Sequence, residues 1–527
     1  MSFTLNKDKP VSRSLYSAVF IAGAASLAVE MASSRLLGNV FGTSNLVWAS
    51  IIGLILIYLA VGYFLGGRWA DRYASNKNFY RILIWAAISI GVIPVVSRPV
   101  LRLAADAFDQ LQLGILFGSF TSVLILLIIP VTLLGMASPF ALRLAVADAG
   151  EVGRISGRVY AISTIGSFIG TFIPTLLTIP LMGTYRTFLS ISLVLLVTGI
   201  YGMWTSVGWK PAWPYLFAFL ALISLFIWGL PGGDKDTHGM VYETESSYNY
   251  IQVVESEGFH YLRLNEGQGV HSIYHPTVTN YYGPWEQVIS APFFNPAPYD
   301  PAKVKRMAIV GLAAGTTARQ ATTAFGPIPI DGYEIDPKIV EIGRNYFEMT
   351  GTNLNVHVQD GRWGLSHSPY RYQVISVDAY RPPYIPAHMI TREFFKEVYQ
   401  HLTGDGVMAI NVGRSPNDRS LVNSLCSTIK TTFPNVYVMD VPNSYNSIIF
   451  ATVQATQKSN LVDNYIYLSK YPGTAPILLE TLAITLANLQ PDPPAGEIFT
   501  DDRAPIEWIT NRMVLGFLLS ENMEMSE

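Results

Sequence analysis

Up to about residue 230 the chain alternates long apolar runs with short charged loops; beyond it, polar positions recur on a much shorter period. A helix needs roughly 20 apolar residues to cross a bilayer. Seven runs come near that length, at 15–37, 45–66, 80–97, 113–135, 157–181, 186–205 and 213–230. Lys7, Lys9 and Arg13 ahead of the first run resemble the start of a signal peptide, but the length of that run and the spans after it predict a retained helix. Between the third and fourth runs, "RPVLRLAADAFDQLQ" places apolar residues on one face and charges on the other, which predicts an interfacial helix. Glycines at helical spacing in "STIGSFIGTF" predict close helix packing. Glu30 and Arg35 in "AVEMASSRLLG" read as an ion pair or a fixed helix end, or else as a polar site inside the bundle.

After "LPGGDKDTHG" (230–239) the pattern changes. Alternation in "YNYIQVVES", "FHYLRLNEG" and "VHSIYHP" predicts short antiparallel strands over 241–274. From 306, "RMAIVGL", "IPIDGYEID", "NVHVQD", "QVISVDAY" and "GVMAINV" read as strands with helices between most of them, hence a parallel sheet covered by helices. "VYVMDV" and "SIIFATV" around "PNSYN" predict a hairpin at the sheet edge. The division is therefore a transmembrane domain over 1–230, a linker and small β-strand region over 231–300, and a Rossmann-like domain over 301–527.

Composition agrees with a mixed chain. Of 527 residues, 50% are hydrophobic and 14% charged, with a mean hydropathy of +0.30. The net charge of -3, with no basic run outside the loops between apolar segments, argues against nucleic acid as a partner and leaves the lipid bilayer as one. A single cysteine, Cys426, excludes an intrachain disulfide framework and a cysteine-based zinc site. The histidines show no metal-ligand spacing, so no metal is expected. Trp48, Trp69 and Trp204 near the span ends read as interfacial anchors.

The loop charges argue topology. Lys7, Lys9, Arg13, Arg68, Arg72, Lys77, Arg81, Arg143, Arg154, Arg158 and Lys210 fall on one side, Arg98, Arg102 and Arg186 on the other, which puts the N-terminus in the cytoplasm. Seven spans then carry everything after residue 230 outside.

Candidate chemistry gathers at the ends of four successive strands. "VGLAAGTTARQ", with Gly311 and Gly315, follows a strand and opens a helix, where a glycine turn lets backbone amides face a cofactor. Glu334 ends the next strand, at the spacing where a carboxylate accepts both ribose hydroxyls. Asp360 and Gly361 end the third, where an acid can read an adenine amino group and glycine lets the ring approach, and Asp378 ends the fourth. Ligand sites of open α/β sheets lie at such carboxyl ends; each position taken alone is equally a capping acid or a turn.

The run from "VGLAAGTTARQ" through "YEIDPKIVEIGRNYF", "VQDGRWGL" and "VISVDAYRPPYIPAHMITREFFKEVYQHLTGDGVMAINV" resembles the spermidine synthase (polyamine aminopropyltransferase) family. It is most similar to the bacterial membrane-fused members, whose first half has motifs like "LAVEMASSRLLG", "GYFLGGRWADR" and "LLGMASPFALRL". The resemblance implies a class I methyltransferase-like fold of spermidine synthase type with a small β-rich lead-in. It also implies decarboxylated S-adenosylmethionine as co-substrate, or S-adenosylmethionine itself. By the same resemblance Glu334 binds ribose, Asp360 and Gly361 the adenine side, Gly311 and Gly315 the cofactor's approach, and His271 takes the place of a cofactor-facing glutamine. Asp378 is the implied general base, with Glu286, Tyr380 and Arg381 on the side of the acceptor, a small-molecule amine or other group. The strands of 241–274 match a region that assembles subunits in soluble members, which implies a homo-oligomer or a membrane assembly.

The chain also departs from the family pattern. Ala314 stands where an amine-binding acid is usual, Arg381 where a second acid follows the base, and Trp285 and Ser290 at two histidine places. Arg381 would repel a diamine unless paired, for instance with Glu286, Asp501 or Asp502. Three functions remain open on sequence: an aminopropyltransferase, a methyltransferase acting on another acceptor, and a non-catalytic module of a membrane assembly. The cofactor argues for a cytoplasmic C-terminal domain, and the loop charges for an external one.

Overall fold

The computed structural model describes residues 13–41, 45–111, 115–146, 152–229, 237–265, 269–380 and 385–513. Two compact units emerge: a helical one up to Asp236 that also takes in Glu245–Tyr250, and an α/β one made of Thr237–Thr244 and everything from Ile251. The strands expected over 241–274 thus fall mostly with the α/β unit, and one of their turns with the helices.

The helical unit contains α1 (Arg13–Phe41), α2 (Asn45–Tyr73), α3 (Asn76–Leu111), α4 (Ile115–Ala145), α5 (Val152–Ile173), a π turn (Pro174–Thr178), α6 (Ile179–Val207), the short α7 (Trp209–Ala212) and α8 (Leu216–Trp228). Among the described residues six helical segments are long and apolar enough to cross a membrane, one of them the 56-residue run Val152–Val207. That run is broken at Gly183, whose φ of 79° lies outside helical space; only glycine adopts such a φ without a steric cost. The break separates an α5 arm from the rest of α6. The stretch expected to form a separate interfacial helix instead continues α3 to Leu111, and its Arg98 lies 5.0 Å from the Tyr185 ring centroid.

Small residues set the helix contacts. α1 packs against α5, α2 against α4 and α3 against α6. A Cβ added at Gly166 or Gly170 would run into the carbonyls of Phe20 and Ala24, and one added at Gly62 or Gly66 into the backbone of Thr132 or Met136. The close packing expected around "STIGSFIGTF" is therefore backbone on backbone. Large apolar side chains point away from the core, among them Leu176, Leu181, Phe217 and Trp228. The Arg35 guanidinium donates to the carbonyls of Ser246 (2.7 Å) and Tyr248 (3.1 Å). Glu245 accepts from the Thr184 amide at 2.8 Å, from the Thr184 hydroxyl and from the Asn39 amide group. Its carboxylate thereby caps the helix that restarts after Gly183.

In the α/β unit, β1 (Met240–Glu245), β2 (Tyr250–Ser256), β3 (Phe259–Leu264) and β4 (Val270–Tyr274) form a four-stranded sheet in sequence order. The short α9 (Pro284–Gln287) follows. Next come β5 (Met307–Val310), α10 (Thr316–Phe325), β6 (Ile330–Glu334), α11 (Pro337–Tyr346), β7 (Leu354–Val358), α12 (Gly361–Ser366), β8 (Tyr372–Val377), α13 (Arg392–His401), β9 (Leu402–Gly413), α14 (Ser420–Ile429), β10 (Asn435–Asp440) and β11 (Asn446–Thr452). The seven-stranded sheet has the order β10-β11-β9-β8-β5-β6-β7. Its strands β5 to β9 are parallel, while β11 runs antiparallel between β9 and the edge strand β10, so the expected hairpin closes the sheet. Strand order reverses beside β5, where β6 lies on one side and β8 on the other, and such a switch point opens a crevice.

Candidate active site

Register aligns the strand ends. Val310 pairs with Tyr333 on one side and with Val377 on the other, and Glu334 pairs with Val358. Gly311, Glu334, Asp360 and Asp378 therefore stand at or just beyond the carboxyl ends of four adjacent strands, side by side. Gly311 has a φ of 90°, and a Cβ there would collide with the Asp378 carbonyl and the Ala379 amide. Glycine is needed both for the turn and to let the β8 end come close. Gly315, with a φ of 85°, begins α10 against the Met349 side chain.

Glu334 is buried, and its carboxylate accepts from the Ala313 amide (2.9 Å) and the Asp336 amide (3.0 Å). Burial without a countercharge raises it to about 7, although those backbone donors pull the other way. A carboxylate offers about four acceptor positions, so Glu334 retains capacity for two hydroxyl donors. Asp360 caps α12 through the Trp363 amide at 2.9 Å and meets His388 Nε2 at 3.1 Å. Gly361 lies against Val310, where a Cβ would come within 2.6 Å.

Asp378 is half-buried. Desolvation raises its carboxyl to about 7, against a hydrogen bond from Asn411 Nδ2 (2.9 Å) that lowers it. Tyr380 donates to the Asn411 carbonyl at 3.4 Å, and burial raises its phenol. Arg381 lies outside the described residues.

The β4 end joins this site. The Ala314 amide donates to Ser272 Oγ (3.0 Å), and the Thr316 hydroxyl bonds both the amide and the carbonyl of Ile273 at 2.9 Å. Between the β4 start and Ser272, the His271 ring is lowered to about 4 by burial and its Nε2 has no partner. A neutral, unpartnered ring nitrogen on the strand that meets the glycine turn suits a ligand hydrogen bond. Ala314 is itself buried among Ile251, Val253 and Ile342, so at this place the turn offers packing and no charge.

Glu286 is held from the side of α9 and α10. It is wholly buried and accepts from the Gly283 amide and from Gln320 Nε2 (2.9 Å). Burial raises it to about 7, and those bonds oppose the rise. It ties α9 to α10. Trp285 and Ser290 are buried beside it, and Ser290 accepts from Thr485 at 3.1 Å. Asp501, a suggested partner of Arg381, is bound to Arg362 at 2.8 Å and to Thr391 at 2.6 Å. Asn411, Ser272, Thr316 and His388 were not found by the strand-end rule. Asn411 alone left a signal, as the one amide in the apolar strand "GVMAINV".

Residues 299–465 match the family model described as the spermine/spermidine synthase domain. The chain is 31% identical over 284 residues to a probable polyamine aminopropyl transferase of Bifidobacterium longum, covering 51% of this chain and 61% of that relative. It is 28% identical over 222 residues to a polyamine aminopropyltransferase of Vibrio vulnificus, covering 40% of this chain and 71% of the relative. The crystal structure of spermidine synthase from Thermotoga maritima superposes with a TM-score of 0.40 at 17% identity, covering 48% of this chain and 84% of that one. The chain thus carries a spermidine synthase-like domain in its C-terminal region and spans about three-fifths of the Bifidobacterium relative's length.

Proposed function

We propose that the α/β unit is an aminopropyltransferase, moving the aminopropyl group of decarboxylated S-adenosylmethionine to an amine, and that the helical unit holds it in a membrane. The observation that carries the reading is the approach of the Gly311 turn to the Asp378 backbone, with Glu334 on the neighbouring strand end. Glu334 has acceptor capacity for a ribose diol, His271 Nε2 is buried and unpartnered, and Asp360 with Gly361 supplies an acid for the base. The donor supplies an electrophilic carbon beside a sulfonium. Asp378 orients the acceptor amine and takes its proton as nitrogen attacks that carbon; the C–S electron pair leaves on sulfur, giving methylthioadenosine. A carboxyl raised to about 7 suits this task, because a base works best with a pKa near the operating pH. Holding amine and donor carbon in contact supplies a further large part of the rate.

The apolar side chains exposed on the helices and the six long segments support membrane insertion. With the Gly183 break dividing one segment, seven crossings between Arg13 and Trp228 and the loop charges would carry the C-terminal region outside, whereas the donor favours the cytoplasmic side. In right-side-out vesicles, protection of the chain beyond Thr237 is expected of an enzyme that meets a cytoplasmic donor; digestion from outside would remove most of the support for the transferase reading.

The activity test incubates the purified full chain with decarboxylated S-adenosylmethionine and a panel of diamines. Methylthioadenosine and an aminopropylated amine are expected in equal amounts. Absence of both with every amine, from protein that still binds methylthioadenosine, would overturn the transferase reading.

A further inference from the structure

Asn411 lies on β9, beside the end of β8, and its Nδ2 donates to Asp378 Oδ1 at 2.9 Å. Its own Oδ1 is buried and meets no donor. A buried carbonyl left unmatched is costly, so a residue chosen for packing alone would be better served by an aliphatic side chain, as at the neighbouring positions Ile410 and Val412. The open acceptor has a use once Asp378 changes charge. When Asp378 is a carboxylate it needs a donor, and Nδ2 supplies one. When Asp378 has taken a proton it becomes a donor itself, and a half-turn of the carboxamide presents Oδ1 to receive it. No other side chain exchanges donor for acceptor in this way without gaining or losing a proton, apart from glutamine and the hydroxyls.

We propose that Asn411 is the positioning residue of Asp378, holding the carboxylate through Nδ2 and the protonated acid through Oδ1, so that the base stays in register on both sides of the proton transfer. The proposal deepens the reading of Asp378 as the base and rests on it for its catalytic meaning, but its test does not. The elements around Asp378 leave Asn411 in charge of it. The Gly311 turn of β5 brings backbone only, β9 brings Asn411, and on the same segment the nearby ionisable group is the Tyr380 phenol. Among the described residues no cation or second carboxylate is recorded as acting on Asp378; Arg381 follows on the chain outside them. Tyr380 is tied to the Asn411 main-chain carbonyl, not to its side chain, so replacing the side chain leaves that contact in place.

The experiment is an infrared pH titration of the full chain in detergent, with the Asp378 carboxylic C=O band isolated by subtracting the Asp378→Asn spectrum. It reads protonation directly and needs no turnover. A hydrogen bond to the carboxylate is stronger than one to the neutral acid, so losing both in Asn411→Leu should still raise the midpoint, by about one pH unit. Asn411→Gln, which keeps the carboxamide, should return most of that shift. Where the protein turns over, the acid limb of its kcat/KM profile moves upward equally and methylthioadenosine affinity stays within about twofold. A melting curve checks folding; should Asn411→Leu not fold, Asn411→Ser, too short to reach Asp378, carries the same expectation. An unchanged midpoint in a folded Leu or Ser variant overturns the proposal. If the wild type forms no methylthioadenosine but the midpoint moves, the transferase reading fails and the Asn411 assignment stands.

Discussion

Glycine does opposite work in the two units. In the helical unit Gly166 and Gly170 lie within an ordinary α-helix and are small because another helix's carbonyls occupy the place of a side chain. In the α/β unit Gly311 also yields space to a neighbouring backbone, but its φ of 90° adds a conformational demand. Polar groups divide similarly. The helical unit sets the Glu245 carboxylate at a helix end, capping the restart at Thr184, whereas the α/β unit buries the carboxyls of Glu286 and Glu334 outright. The lesson is that a bundle tolerates small residues for contact alone, while a site must combine contact, conformation and charge at one place.

The sharpest way to isolate the charge is Asp378→Asn. Turnover should fall by about 10²- to 10⁴-fold, while methylthioadenosine binding, measured by calorimetry, stays within about threefold. Equal turnover would leave the strand-end cluster as architecture alone.

The comparison between glycines can be broken directly. Gly311→Ala faces both a forced left-handed φ and a collision with the Asp378 backbone, and should cost about 3 kcal/mol or more, with loss of methylthioadenosine binding. Gly170→Ala meets only the collision with Ala24, about 1–3 kcal/mol in the thermal stability of the helices, with the α/β site untouched. Gly67, which has nothing within 4 Å of an added Cβ, is the control: Gly67→Ala should be neutral or stabilise by about 0.5–1 kcal/mol. Equal effects at Gly170 and Gly67 would refute backbone contact as the reason for the small residue.

Buried charge gives a smaller, pH-dependent effect. Between its ordinary value near 4.5 and about 7, Glu286 holds a proton in the folded protein that the unfolded chain has released. Stability therefore falls as pH rises across that window. Glu334 acts with the same sign, from the same ordinary value to about 7. Glu286→Gln should flatten this slope and, by on the order of 2 kcal/mol, raise stability at neutral pH. Thermal melts at several pH values read both; an unaltered slope would mean that Glu286 is ionised at little cost.

Much of this was legible along the chain because it is local. The apolar runs, the strand-helix alternation, the glycine turn and the strand-end acids each follow from a period or from neighbours a few residues apart. Even the resemblance that named Glu334, Asp360 and Asp378 rests on contiguous motifs. What could not be read is what a distant partner supplies. Glu286 reads as a candidate substrate contact, yet Gln320, 34 positions away, takes it into the interior. The amphipathic stretch after Arg98 reads as a separate helix, although the backbone carries α3 through it.

By itself, then, the sequence determined that an apolar helical half precedes an α/β half, and that acids and glycines stand at the ends of four strands, since both are set by short-range periodicity. Tertiary structure alone decided that Asn411 meets Asp378 across 33 positions and that Ser272 holds the Ala314 amide across 42. It also decided that Glu245 closes the helix broken at Gly183. Such pairings depend on which strands and helices become neighbours, and no local propensity encodes that choice.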